Sequence, residues 1–246
     1  MTSFRIARAL FATDSINIQR DSLLRGMIVV PLGLAIAIRW IFPAAIPQAS
    51  AIIGFDLNAI YDQVFGYILL IMPPAICGIL VGFLLLDQRD EQSLRALQVT
   101  PLPLSGYLAY RLAAPMLISV FMTIIALPLA GVAVFDLPKL LLVALLAAPL
   151  APQIALFLGA FAANKVQGFA LQKALSVIMI IPLLGWFLPM PWQIIAMCMP
   201  TFWPAAVWRE LLHSGIINWG LCALGLIFQM ALTWLLLRQM IARMQR

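Results

Sequence analysis

Residues 65–86 read FGYILLIMPPAICGILVGFLLL, and residues 87–100, directly after them, read DQRDEQSLRALQVT. The first stretch carries no charge and is long enough to cross a bilayer, which takes about 20 apolar residues as a helix. The second packs three acids and two arginines into its first nine residues. An apolar run of span length, cut off by the densest charge in the chain, reads as a membrane helix emerging into water. The rest of the sequence follows suit. Of its 246 residues, 64% are hydrophobic and 10% charged, with a mean hydropathy of +1.05. Soluble domains carry about 25% charged residues, so the composition is that of a polytopic membrane protein. Six spans would take roughly half the chain. The remaining loops leave no room for a soluble catalytic domain.

The expected fold is therefore an all-α integral membrane protein, one transmembrane domain over 1–246. Its six transmembrane helices are expected at about 26–43, 65–86, 108–134, 139–162, 174–190 and 216–237. Residues 191–212 are apolar too, but Pro191, Pro200 and Pro204 break them into pieces of a turn or two. Trp192, Trp203 and Trp208 favour the membrane interface. This stretch reads as short re-entrant outer helices between spans five and six. Residues 1–25 place Ile6, Ala7, Leu10 and Phe11 on one helical face and Arg5 and Arg8 on the other. That is the pattern of an N-terminal amphipathic interfacial helix. With no early apolar core or cleavage site, the N-terminus is expected to be retained. Pro31, Pro73, Pro74, Pro115, Pro128, Pro149, Pro152 and Pro182 lie within spans, where neighbouring helices satisfy the freed carbonyls.

Charge sets the orientation. With six spans and a cytoplasmic N-terminus, twelve of the 15 Lys and Arg fall inside and only Arg39, Lys139 and Arg209 outside. A seventh span would move the C-terminal arginines outside and weaken that asymmetry. Both termini are thus expected in the cytoplasm. The net charge of +6 then reflects membrane orientation and implies no nucleic acid partner. Cys77, Cys198 and Cys222 show no CxxC spacing, and His213 is the single histidine. Neither a disulfide framework nor a metal site is expected.

On this topology residues 88–99 form a cytoplasmic helix between spans two and three. Asp87 serves as N-cap, and Asp90 and Glu91 lie in the first turn, where the helix dipole favours acids. Leu94 and Leu97 share one face, which a partner protein or the membrane surface could cover. Pro101 disfavours helical backbone at Thr100 and stops the helix. Ser105 is then a plausible N-cap for span three.

The order D-x-R-[DE]-E-x-[ST]-L-x-x-L-x-x-T-P, with Tyr107 at the head of the next span, resembles the cytoplasmic coupling loop of type-2 ABC transporter permeases. The matching residues are Asp87, Arg89, Asp90, Glu91, Ser93, Leu94, Leu97, Thr100, Pro101 and Tyr107. Gln92 stands where members of that family often carry Gly. NKVQGFALQK at 164–173 is similar to the second cytoplasmic loop of its drug-export members, and PWQIIAMCMPTFWPAAVWRE to their outer helices. The resemblance covers nearly the whole chain.

The resemblance implies a permease subunit of an exporter in the cell inner membrane, moving small hydrophobic or amphiphilic molecules. It implies a partner ATPase that binds ATP and magnesium, and a second permease subunit, identical or not. This chain holds no phosphate-loop lysine, since Lys139, Lys165 and Lys173 lie in no G-x-x-x-x-G-K-[ST] motif. No catalytic residue or bound cofactor is expected in it. By similarity residues Asp87 to Pro101, including Ser93 and Thr100, would couple to the ATPase, with Leu94 and Leu97 filling an apolar pocket on it. Arg89, Asp90, Glu91 and Arg95 would make ion pairs at its rim, with Lys165 and Gln167 in a second contact. Spans two and five would line the path, with Met72, Phe83, Met179, Trp186 and Phe187 as candidates. Phe202, Trp203 and Trp208 would close it outside or anchor at the interface. An ion-coupled transporter would need a deep ionisable residue, and the spans hold essentially none. A membrane serine hydrolase would need a paired base, and the one histidine is in an outer loop.

Overall fold

The structure, a computed structural model, describes residues 22–90, 104–132, 136–187 and 189–244. All regular structure among them is helical: α1 (Ser22–Trp40), α2 (Phe42–Ile53), α3 (Tyr61–Asp90), α4 (Leu104–Ala130), α5 (Leu137–Ala147), α6 (Leu150–Phe161), α7 (Lys165–Ile178), α8 (Ile181–Gly185), α9 (Met190–Met197), α10 (Phe202–Ser214) and α11 (Trp219–Met244). A 3₁₀ turn at Leu57–Ile60 precedes α3. The expected interfacial helix at 1–25 and the helix at 88–99 fall largely outside the described residues.

Among the described residues, five helical stretches are long and apolar enough to cross a membrane: Leu57–Gln88, Arg111–Ala130, Leu137–Phe161, Lys165–Gly185 and Trp219–Arg243. A sixth arises if Val29–Trp40 and Phe42–Ile53, bent by 65°, make one span. Proline explains the breaks. Pro43, near the start of α2, cannot donate the hydrogen bond that would continue α1. Pro149 separates α5 from α6, and Pro182 opens α8 after α7.

Several expected boundaries move. Helix α1 ends at Trp40, before the expected end of span one at 43, and α2 follows as a separate helix. Span two runs from Tyr61 to Asp90, so Asp87 is not an N-cap but lies inside the helix. Ser105 is likewise already helical. Span five begins at Lys165, well before residue 174, because the segment read as a loop is itself helical. Span six continues to Met244. The pieces between spans five and six are helices α9 and α10.

Helix α3 and the α5–α6 span lie inside the bundle, while α7 and α11 are mostly exposed. The α3–α6 contact is a seam of small residues. A Cβ at Gly78 would lie 2.5 Å from the Ala151 carbonyl oxygen, and one at Gly82 would lie 2.7 Å from Leu158 Cδ1. Gly78-x-x-x-Gly82 thus faces Ala151 and Leu158, and such spacing lets membrane helices approach closely. A second slot lies higher on α3. Trp208 of α10 is fully buried, and its ring occupies the space where a Gly66 side chain would stand. It joins the largest core cluster with Leu69, Leu70 and Leu127. Trp208, expected at the interface or an outer gate, is packed between helices in this slot. The indole fits inside because Gly66 leaves room for it.

The ends of two helices are tied across the fold. Helix α4 closes on Gly131, at φ +69, a left-handed conformation that favours glycine. A Cβ there would meet the Arg39 guanidinium at 2.2 Å. The Tyr61 hydroxyl donates to the Ile38 carbonyl.

Candidate functional site

Two regions carry the polar and cavity-forming chemistry. The first is the junction between the end of α3 and the start of α7. Asn164 caps α7 by accepting from the Gln167 amide at 2.9 Å, and Gln167 Oε1 accepts from the Ala163 amide at 2.6 Å. The first bond satisfies one of the helix's orphaned amides, and the second ties Gln167 back to the residue before the cap. The cap makes Lys165 the first helical residue and turns it toward α3. Lys165 Nζ lies 2.6 Å from Asp87 Oδ1, both side chains partly exposed. Below them Gly168 is buried. A Cβ there would lie 2.8 Å from Leu86 Cδ1 and 3.1 Å from Phe83 Cε1. The Phe83 and Phe169 rings pack with centroids 4.5 Å apart. The end of α3 is thus clamped to α7 immediately before residues 91–103.

Of the expected coupling residues, Asp87, Lys165 and Gln167 come together here, and Gln167 is engaged in capping its own helix. Arg89 and Asp90 are the last helical residues of α3. Glu91, Ser93, Leu94, Arg95, Leu97, Thr100 and Pro101 lie outside the described residues.

The second region is a cavity of about 300 Å³ between α6, α7 and α11, reaching the α9–α10 link. Its walls are largely apolar, including Phe157, Leu175, Met179 and Leu232. Gln153, 3% exposed, stands in the α6 wall. Its Nε2 donates to Gln229 Oε1 at 2.5 Å, with Thr233 Oγ1 at 3.2 Å. Gln229 Nε2 in turn donates to the Pro200 carbonyl at 2.8 Å. The chain of bonds joins α6, α11 and the α9–α10 link. Interhelical side-chain bonds of this kind contribute about 0.6 kcal/mol on average in membranes, and up to about 1.7. Among the described residues Gln153 Oε1 has no hydrogen-bond partner.

Of the expected path residues, Met179 lines this cavity, and its carbonyl accepts from the Tyr67 hydroxyl. Met72 is half-buried on α3, and Phe83 belongs to the α3–α7 clamp. Trp186 is buried with its ring edge against Tyr67, centroids 5.5 Å apart. Phe187 is 58% exposed. Phe202 packs edge-on against Trp203, which also meets Phe228 of α11. The sequence reading missed the Gln153–Gln229 pair. Its signal was present: two glutamines and Thr233 within the apolar stretches of α6 and α11, where polar side chains seek partners on neighbouring helices. The Gly78-x-x-x-Gly82 spacing was a second unread signal.

Residues 14–237 match the family model described as "Fluoroquinolones export permease protein Rv2686c-like". Two relatives agree with it: the fluoroquinolones export permease protein MT2760 of Mycobacterium tuberculosis strain CDC 1551 / Oshkosh, and its counterpart Rv2686c of strain H37Rv. Each is 30% identical over 241 residues, covering 96% of this chain and 95% of the relative. No solved structure matches the chain. With a family model spanning nearly its whole length and relatives matched end to end, the chain belongs to the Rv2686c-like family of export permeases, membrane proteins of efflux.

Proposed function

We propose that this chain is the membrane-spanning subunit of an ABC exporter. It moves a small hydrophobic or amphiphilic molecule, a fluoroquinolone among the candidates, out of the cytoplasm. The observation that carries the reading is the match over residues 14–237 to fluoroquinolones export permeases. A separate ATPase subunit binds ATP and magnesium and hydrolyses the nucleotide. Two permease chains pair in the inner membrane, with both termini on the cytoplasmic side. The segment 87–101 docks on the ATPase, with Leu94 and Leu97 in an apolar pocket and the flanking charges setting register more than affinity. The α3–α7 clamp supports this assignment, because it fixes the chain on which that segment is mounted. A lever needs a rigid attachment.

An ion-coupled transporter is the competing reading. Among the described residues, the Lys, Arg, His, Asp or Glu side chain buried in a candidate span is that of Arg111, 4% exposed. A guanidinium stays protonated in proteins and cannot relay protons. That disfavours proton coupling through it.

The test uses the permease reconstituted with its ATPase in proteoliposomes, with a fluoroquinolone as probe. Wild-type chain should give substrate-stimulated ATP hydrolysis and outward transport. The Leu94→Asp/Leu97→Asp variant should lose the stimulation while the chain still inserts. Unchanged stimulation in the variant would remove the coupling role. Transport that persists without ATPase or ATP would remove the ABC reading.

A further inference from the structure

We infer that the cavity between α6, α7 and α11 binds a flat aromatic molecule carrying a carboxylate, with the rings inside and the carboxylate at Arg243. The inference rests on the exporter reading and names the place and chemistry of recognition.

The first observation is the wall. Leu150 and Phe161, both lining the cavity, are eleven residues apart on α6. At 1.5 Å per residue the groove is about 16 Å long. Its volume of about 300 Å³ sits at the low end of the range for small-molecule sites, and the space between helices of a bundle is a usual place for one. Phe157 and Phe161 present rings 4.9 Å apart at 33°, closer to stacked than to edge-on. A flat ring system extends such a stack, and aromatic pairs contribute beyond their buried area. Met179 and Leu232 on the facing walls give an adaptable apolar lining.

The second observation is charge at one end. The Arg243 guanidinium lies 4.9 Å from the centroid of the Phe161 ring, against its face. Arg243 is exposed, and among the described residues no carboxylate lies within ion-pair distance of it. Its planar fork is suited to bidentate pairing with a carboxylate. A carboxylate buried deep in the apolar groove would be heavily penalised, whereas one at this mouth stays hydrated and paired. The geometry therefore orients the ligand: rings along Phe157 and Phe161, acid toward Arg243.

A phospholipid also combines apolar and anionic parts, but an acyl chain gains nothing from the stacked ring pair. Anionic lipid is an outcome the experiment must distinguish. The purified full-length chain in phosphatidylcholine nanodiscs is titrated with a fluoroquinolone, a fused aromatic acid, and separately with its methyl ester. Ligand fluorescence reports binding. Wild type should favour the acid by about tenfold, the ratio that about 1.4 kcal/mol gives. Arg243→Gln should bring acid and ester within about twofold of each other. Leu232→Trp, which fills the groove, should weaken both by tenfold or more. Phe161→Leu, a smaller change, should weaken both by less. An acid preference surviving in Arg243→Gln overturns the inference. So does undiminished binding in both groove variants, or retention of phosphatidylglycerol with no binding of the acid. Export by the chain with its ATPase is read separately. Export with unaltered variant binding overturns the cavity and spares the exporter, and the expected binding without export does the reverse.

Discussion

Adding one methyl group at Gly78 should loosen the centre of the bundle. The Cβ of Gly78→Ala would stand 2.5 Å from the Ala151 carbonyl oxygen, 2.9 Å from Ile154 Cβ and 3.1 Å from Ala151 Cα. Ordinary contact begins near 3.4 Å, so α3 and α6 must part locally by about 0.9 Å. The obstruction is backbone, with no flexible side-chain end to swing aside. Overpacking costs about 1–3 kcal/mol, and a backbone obstruction puts this site in the upper part of that range, about 2–3. Alanine recovers up to about 1 kcal/mol in helix propensity, leaving a net loss of about 1–2 kcal/mol. For a chain of this size that lowers the melting temperature by roughly 2–8 °C. Two buried free thiols, Cys77 and Cys222, provide the assay. A thiol-reactive dye labels them as the fold opens, in a Cys198→Ser background that removes the exposed thiol. Gly33→Ala is the control, because a Cβ there meets nothing within 4 Å. It should leave melting unchanged or raise it slightly. If Gly78→Ala melts with or above the control, the close α3–α6 seam is wrong.

Three further outcomes follow from named contacts. Gly66→Ala drives a Cβ to 2.0 Å from Trp208 Cζ2, and because that indole is fully buried the loss should reach about 3 kcal/mol, partly recovered by Trp208→Phe in the same melt. A double-mutant cycle of Asp87→Asn with Lys165→Gln should give a coupling below about 1 kcal/mol, because the pair is solvated; a value above about 2 would mean it is buried in the working assembly. Gln229→Leu leaves the Pro200 carbonyl without this donor and should cost about 1–2 kcal/mol, while the Gln153→Leu/Gln229→Leu pair should cost less than the sum of the single changes, as thermal melts would register.

The spans were legible where the signal is local. Apolar length alone finds α3, α4 and α11, since burying that much apolar surface needs either lipid or other helices. What the sequence hid was decided across the fold. Asp87 looks like a cap because an acid follows an apolar run, yet the helix continues and the carboxylate meets Lys165, 78 positions further along. Trp208 packs into the slot at Gly66, 142 positions earlier, a pairing no local pattern announces. The early start of α7 is different in kind. Asn164 and Gln167 spell a helix start, a local signal outweighed by the polarity of NKVQ. The cavity could not be read at all, because its walls come from helices whose spacing no local pattern sets.

Pro73 and Pro74, adjacent in the middle of α3, divide that helix mechanically. Neither can donate to the carbonyl four residues earlier, so Leu69 and Leu70 lose their usual helical donors and stiffness is lowest there. On one side Tyr61, Gly66 and Tyr67 are fastened to α1, α10 and Met179. On the other, Gly78 and Gly82 lie flush with α6, and Asp87 is tied to α7. Compliance is therefore concentrated at a single joint between two anchored rods. The rod from Ala75 to Asp90 is about 24 Å long, so a rotation of about 10° at the prolines sweeps its tip by roughly 4 Å. Because α6 lies flush against that rod, the same rotation would carry one wall of the cavity with it.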